Sequence, residues 1–254
     1  MINEDNKDVK PIAIIPSRIN SSRLPRKPLA DIHGIPMIIH VLLRVKMCPD
    51  VSDVYVATDS EEIETIVKKY NGKAILTSSK HNNGTERVCE AIEKIKGDIF
   101  VIVLGDEAML NPKHITESIN TYKNSDCNMS ILATKFFKEN SKGDFKLVLN
   151  HKNEVIYMTR SDIPSSAINI PKYRLKACHL LTLSRKFLEI YKQLPIRFNE
   201  KIESNEFLRI IENGYKIKCS IVDNAVISVD YPEDLEYIRE NIVNDPIYNI
   251  YKNT

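Results

Sequence analysis

Short, uninterrupted apolar runs alternate with stretches of helical periodicity through the first half of this chain, and that order constrains its fold more than any other feature. Pro11 to Ile15 has no polar side chain, and VSDVYVATD (51–59), Lys73 to Thr77 and DIFVIVLGD (98–106) are further strand candidates. Between them the spacing predicts helices over about Pro36 to Met47, Glu61 to Tyr70 and Glu86 to Lys96, and Pro112 opens another to about Lys123. Ser60 with Glu61 and Glu62 suits a helix start, where free N–H groups and the dipole favour acceptors and negative charge. Strands without a polar face are buried on both sides. The expected fold is therefore α/β, a three-layer, mostly parallel sheet with helices on both faces.

From residue 125 the pattern loosens. Strands are expected at Met129 to Ala133, Lys146 to Leu149 and Val155 to Tyr157, followed by the loop IPSSAINIPKYR. Residues 125–200 read as an insert within a single domain spanning 1–254. Helices at about Arg185 to Leu194 and Glu203 to Asn213, a strand Lys216 to Val222 and a helix from Pro232 to about Asn241 then restore the alternation.

Composition excludes several classes. A chain of 254 residues buries roughly three quarters of the surface its unfolded form exposes, so its core needs neither disulfides nor a structural metal. The 36 basic and 34 acidic residues leave a formal charge of only +2, and the basic ones are scattered, which argues against a nucleic-acid partner. Five widely spaced cysteines, with no CxxC pair, suggest buried thiols in a reducing compartment. The apolar run Ile12 to Ile15 is too short for a signal peptide or a membrane span, so a cytoplasmic protein without a membrane partner is expected.

In an open parallel sheet, ligands bind beyond the carboxyl ends of the strands. After the first strand comes PSRINSSRLPRKPL (16–29), with Arg18, Arg23, Arg26 and Lys27, the hydroxyls of Ser17, Ser21 and Ser22, and three stiffening prolines. Converging guanidinium and ammonium donors suit a polyphosphate, although a solvated basic loop would read the same way. With no glycine before Gly34, the loop is neither a Walker A loop nor a dinucleotide fingerprint. Asp106, directly after VIVL, and Asp230, at the end of AVISVD, are strand-end carboxylates suited to share Mg²⁺ beside a nucleotide phosphate; turn-forming roles are the alternative. Gly84, Thr85 and Arg87 in TSSKHNNGTERV (77–88) are placed to meet a base or ribose, or simply to cap a helix. His81 and His179 have no second ligand at metal spacing and read as satisfied polar side chains.

These strings, with VATDSEEI, LGDE, VIYMTRSDIP, NEKIESNEFLR and SVDYPEDLE in that order, resemble the 3-deoxy-manno-octulosonate (Kdo) cytidylyltransferase family over Ile12 to Ile242. The order Arg-x4-Arg-Leu-Pro-x-Lys-Pro is the most specific part. The resemblance implies a nucleotide-binding α/β fold, a homodimer formed through the insert, and transfer of CMP from CTP, with Mg²⁺, to an acidic acceptor. It implies that Arg18, Ser22, Arg23 and Lys27, beside Ser17, hold the triphosphate, that Thr85 and Arg87 read cytosine, and that Asp106 and Asp230 are the metal ligands. Arg160 is implied as the contact of the acceptor's carboxylate, with His179, Glu203 and Phe207 also on the acceptor side.

The departures from the family pattern cluster on that acceptor side. Leu104 and Ala108 flank Gly-Asp-Glu where the family has Gln and Pro, and Ser165 and Ser166 replace an aromatic residue after Ile-Pro. CHLLTLSR keeps His179 but lacks the family's Gly and Tyr, and Phe207 replaces a sugar-contacting Gln. Losing two polar partners removes roughly 1 to 3 kcal/mol each from the binding of a polyhydroxylated sugar. The acceptor is thus expected to be Kdo or a Kdo-like acid, with an amino-sugar acid, a nonulosonate or a phosphonate as alternatives. A non-catalytic nucleotide binder and a uridylyl or guanylyl transferase are the competing classes.

Overall fold

The computed structural model of this protein describes residues 9–21, 23–223 and 227–254. In chain order the strands are β1 (Ile12–Ser17), β2 (Asp31–Ile32), β3 (Ile35–Pro36), β4 (Asp53–Thr58), β5 (Lys73–Leu76), β6 (Ile99–Val103), β7 (Met129–Phe136), β8 (Lys146–Leu149), β9 (Val155–Thr159), β10 (Arg174–Ser184) and β11 (Ile217–Ile221). The helices are α1 (Met37–Lys46), α2 (Glu61–Lys69), α3 (Gly84–Ala91), α4 (Pro112–Lys123), α5 (Arg185–Tyr191), α6 (Phe198–Glu203), α7 (Phe207–Glu212), α8 (Pro232–Ile242) and α9 (Pro246–Tyr251). The described residues fall into two compact units, 9–116 with 227–254, and 117–223.

The first unit is the expected α/β layer structure. Its main strands run in the order β6-β1-β4-β5, all parallel, and β2 pairs antiparallel with β3 in a separate two-stranded ribbon. Every residue of β1 and β6 is buried, as their unbroken apolar runs require. Helix α1 presents Met37, Ile38, Ile39, Val41, Leu42 and Val45 to the core. The register pairs Ser17 of β1 with Thr58 of β4, so the loops after these two strands leave the sheet side by side. Ser60 caps α2 by accepting from the Ile63 N–H, as its position suggests.

Helix α1 also buries two polar side chains, and both are satisfied by a terminal helix, α9, that periodicity did not reveal. The buried ring of His40 meets the Tyr251 hydroxyl at 2.9 Å through Nδ1 and the Ile32 carbonyl at 3.0 Å through Nε2. Arg44 donates to the same hydroxyl at 3.0 Å and to Asp245 at 2.6 Å. Burial holds the His40 pKa down to about 4, so the ring is neutral, donating to the carbonyl and accepting from Tyr251.

The second unit is mixed. β10 is antiparallel to β7 and β8, β8 is antiparallel to β9, and β11 is parallel to β7. β10 begins at Arg174, earlier than the CHLLTLSR strand the resemblance implies, and bulges between Cys178 and Leu181. The single helix expected over Glu203 to Asn213 is two helices. Ser204 adopts a left-handed conformation, with φ 50° and ψ 48°, and ends α6. The Asn205 side chain then accepts from the Phe207 N–H at 3.0 Å and starts α7, so Glu203 closes one helix rather than opening the next.

Candidate active site

All of the cleft-forming loops named from the sequence belong to the first unit. A cleft of about 260 Å³ is lined by Ser17, Arg18, Ser21, Arg23, Lys27, His81 to Gly84, Arg87, Leu104, Gly105, Asp106 and Asp230. Just past β6, Gly105 suits a close approach, because a Cβ there would lie 3.3 Å from the Pro16 carbonyl and 3.2 Å from Ile38, tighter than usual contact. The backbone N–H of Val229 donates to the Asp106 carbonyl at 3.1 Å, which brings the two aspartates together from positions 124 residues apart in the chain (230 − 106).

Lys27 joins them. Its ammonium lies 2.7 Å from Asp106 Oδ2 and 3.5 Å from Asp230 Oδ1, and it also donates to the Val229 carbonyl at 2.7 Å. Arg23 reaches Asp230 Oδ1 at 2.9 Å, with its guanidinium 5.3 Å from the centre of the Tyr231 ring. The hydrogen bond with the Tyr231 hydroxyl, with the Asp230 charge behind it, makes Arg23 more basic than usual despite partial burial. Two buried oxygens in this cleft, Ser17 Oγ and Asp106 Oδ1, have no hydrogen-bond partner among the described residues. Buried polar atoms are rarely left so, which marks both as sites a ligand could satisfy. Arg18 is exposed at the rim. Ser22 lies outside the described residues.

Asn83 caps α3 by accepting from the Glu86 N–H, so that helix starts at Gly84, two residues earlier than expected. Thr85 is buried and does not line the cleft, whereas Arg87 does. The Arg87 guanidinium is itself anchored, donating to Thr77 Oγ1 at 2.7 Å and to Asp59 Oδ2 at 3.1 Å. His81 is paired with Glu90 at 2.5 Å, in keeping with a satisfied side chain.

The acceptor-side residues all lie in the second unit and form one packed cluster. Arg160 lies 3.9 Å from the centre of the Phe145 ring and donates to the Glu203 carbonyl at 2.5 Å. The Glu203 carboxylate accepts from Thr159 Oγ1 at 2.6 Å and from the Arg160 N–H at 3.3 Å. His179 stacks on Phe207 at 5.7 Å and meets the edge of Phe145 at 5.9 Å. Beneath them Lys146, fully buried, donates to the Ser141 carbonyl at 2.6 Å and to that of Arg160.

The cytidylyltransferase family model matches residues 12–217. A 3-deoxy-manno-octulosonate cytidylyltransferase from Parabacteroides distasonis is 39% identical, over 90% of this chain and 96% of its own length. An 8-amino-3,8-dideoxy-manno-octulosonate cytidylyltransferase from Shewanella baltica is 34% identical over 91% of this chain and 98% of its own. A solved structure of CMP:2-keto-3-deoxy-manno-octonic acid synthetase complexed with CTP matches with a TM-score of 0.88 and 33% identity, covering 92% of this chain and 99% of that one. The chain belongs to the Kdo cytidylyltransferase family.

Within this family member, sequence reasoning missed three residues that shape the cleft. Asp59 and Thr77 anchor Arg87, and Tyr231 packs on Arg23. Asp59 stands directly after β4, as Asp106 stands after β6, so the strand-end argument applied to every strand finds it. Tyr231 has no such signal: it is a helix-start residue whose ring matters only because Arg23 folds back onto it. Leu104, in place of the family's Gln, lines the cleft beside Gly105. Phe207 is only 6% exposed and packs within the cluster.

Proposed function

We propose that this protein transfers CMP from CTP to Kdo or a Kdo-like sugar acid and releases pyrophosphate. What carries the reading is the convergence, in one strand-end cleft, of Arg18, Arg23 and Lys27 with Asp106 and Asp230 around two buried oxygens that have no partner among the described residues. The relatives' names give it its nucleotide and its acceptor class. The acceptor's hydroxyl oxygen attacks the α-phosphorus in line; the new P–O bond forms as the bond to the bridging oxygen breaks, and the hydroxyl proton passes to solvent. Arg18, Arg23 and Lys27 stabilise the charge that gathers on the departing pyrophosphate. Arg160 is assigned to the acceptor's carboxylate, where a planar, always-charged guanidinium suits bidentate recognition.

Mg²⁺ fits the aspartate pair. Asp106 Oδ1 is a buried hard oxygen without a partner, and no cluster of three metal-ligating side chains exists among the described residues. Asp106 and Asp230 would thus supply two carboxylates and leave the other positions to water and phosphate oxygens, as this ion prefers. Bound there, it would neutralise phosphate charge and favour ionisation of the attacking hydroxyl.

The acceptor is open between Kdo and its 8-amino analogue, since relatives of both names match comparably. Pyrophosphate release from CTP and Mg²⁺ with each acid in turn decides it: release with Kdo alone supports the ordinary activity, release with the 8-amino acid alone the altered one. Silence with all acids, together with intact CTP binding, would support a non-catalytic binder.

We further propose a homodimer, supported by the exposed apolar side chains Phe137, Ile168, Ile170, Phe198 and Ile202 in the second unit; sedimentation equilibrium tests it. A cytoplasmic location is supported by the five free cysteines. Among the described residues no helix is long and apolar enough to cross a membrane.

A further inference from the structure

Asp59 does not line the cleft, yet its carboxylate connects the two sides of it. The parallel register of β1 and β4 sets Ser17 beside Thr58, and so sets Asp59 beside the start of the basic loop. The Asp59 side chain is only 8% exposed. Its Oδ1 accepts from the Ile19 N–H at 3.1 Å, next to Arg18. Its Oδ2 accepts from Arg87 Nη2 at 3.1 Å, while Arg87 Nη1 donates to Thr77 Oγ1 at 2.7 Å. Thr77 donates in turn to the Thr58 carbonyl at 3.1 Å, which closes the network on β4.

A buried carboxylate is retained where its partners need it, because isolating either charge would be expensive. Here one oxygen serves a loop that has little regular structure of its own, and the other serves the arginine on α3. We propose that Asp59 is a positioning residue for the nucleotide: it fixes the basic loop and Arg87 relative to one another, so that triphosphate and base are bound by a preformed site. This rests on the reading of the cleft as a CTP site. Ordering a flexible loop at the moment of binding would subtract its conformational entropy from the affinity, and Asp59 removes that loss beforehand.

The two oxygens can be tested separately. D59N keeps an acceptor for Ile19 but turns a donor toward Arg87; D59A removes both contacts. Calorimetric titration with CTP, and with inorganic tripolyphosphate as a probe of the loop alone, is run on wild type, D59N and D59A beside melting curves. D59N should weaken CTP binding by roughly 10- to 100-fold, the range for losing a buried charge-assisted hydrogen bond, and leave tripolyphosphate binding unchanged. D59A should weaken both. In turnover the loss should fall on the KM for CTP, with kcat and the acceptor's KM within about threefold of wild type. Lower melting temperatures with unchanged CTP affinity in both variants would overturn the proposal and make Asp59 merely structural. If D59A fails to fold, D59N alone decides. Wild type that binds neither CTP nor tripolyphosphate would instead overturn the reading of the cleft, and the inference with it.

Discussion

Lys27 in the first unit and Arg160 in the second are both cations held by acceptors of the protein, yet their surroundings differ in kind. Lys27 stands over two aspartates in a cleft that still contains a buried oxygen without a partner on Asp106 and another on Ser17. Arg160 is held by the Phe145 ring and by Glu203, which itself is committed to Thr159 and the Arg160 backbone. The cleft is a set of charges awaiting a ligand. The cluster is a set of charges and rings that already satisfy one another. A nucleotide entering the first exchanges the aspartate contacts of Lys27 and Arg23 for phosphate oxygens and frees the carboxylates for a cation, whereas an acid reaching Arg160 competes with the Glu203 carbonyl for its guanidinium. Affinity is therefore expected to reside mainly in the cleft and discrimination in the cluster.

The largest effect expected is on catalysis in the cleft. D106N keeps the shape of the side chain and removes its charge, and it should lower turnover by about 10³-fold or more while the melting temperature stays near wild type. Pyrophosphate release, with Mn²⁺ binding followed by electron paramagnetic resonance in the same variant, checks it. Near-normal turnover would mean that the unpartnered Asp106 oxygen serves no metal, and the contrast between an open cleft and a closed cluster would lose its basis.

K27M sharpens the same contrast. Removing the ammonium leaves Asp106 and Asp230 without their shared cation, so turnover should fall by about 10²-fold through lost phosphate stabilisation. Mn²⁺ binding in the absence of nucleotide should strengthen, since no cation of the protein then sits over Asp106. Unchanged metal affinity would show that Lys27 and the metal do not compete. On the other side, R160M should raise the acceptor's KM by roughly 10- to 100-fold and leave CTP affinity alone; equal losses for both substrates would break the separation of roles between the two regions.

The cluster makes a stability prediction that the cleft does not. Phe207 is buried and stacked on His179, so F207A should destabilise by about 3 kcal/mol, as truncations of buried aromatics do. Denaturant unfolding measures it. A small change would mean that the ring is there for the acceptor rather than for packing.

How legible each region was follows from where its chemistry lies along the chain. Arg18, Arg23, Lys27, Asp106 and Arg87 stand just past strands or at a helix start, and the all-apolar runs of β1 and β6 mark those strands without ambiguity. Asp106 and Asp230 were legible as a pair because each follows an apolar run, and the Val229–Asp106 backbone contact with Lys27 between them brings them together. In the second unit the strands alternate direction, and β10 carries Lys176, Cys178 and His179 among its apolar residues, so periodicity separated it poorly from the loop before it. The break at Ser204 was invisible, since a left-handed residue other than glycine leaves no compositional mark. Asp59 stands at a strand end and was legible by the same argument as Asp106, whereas the value of helix α9 lies in long-range hydrogen bonds, which local patterns do not encode.

The smallest effect expected separates the first unit's scaffold from its cleft. His40 is buried and neutral, with its pKa held near 4 by desolvation, against an ordinary value of 6.5. Above pH 6.5 the group is neutral in both folded and unfolded chains and contributes no pH dependence. As pH falls from 6.5 toward 4, the unfolded chain takes up a proton that the folded one refuses, so stability declines through this window and levels off below it. Over the full window the loss amounts to about 3 kcal/mol, and near pH 6 it is only a small fraction of that. Urea unfolding at half-unit steps from pH 4 to pH 7 should show the decline in wild type and a flatter profile in H40Q, where Gln can still donate to Ile32 but cannot titrate. Identical slopes in the two proteins would move the acid-sensitive group elsewhere. CTP affinity at pH 7 should be the same in both, because the His40 network lies among α1, α9 and Ile32 and shares no side chain with the cleft.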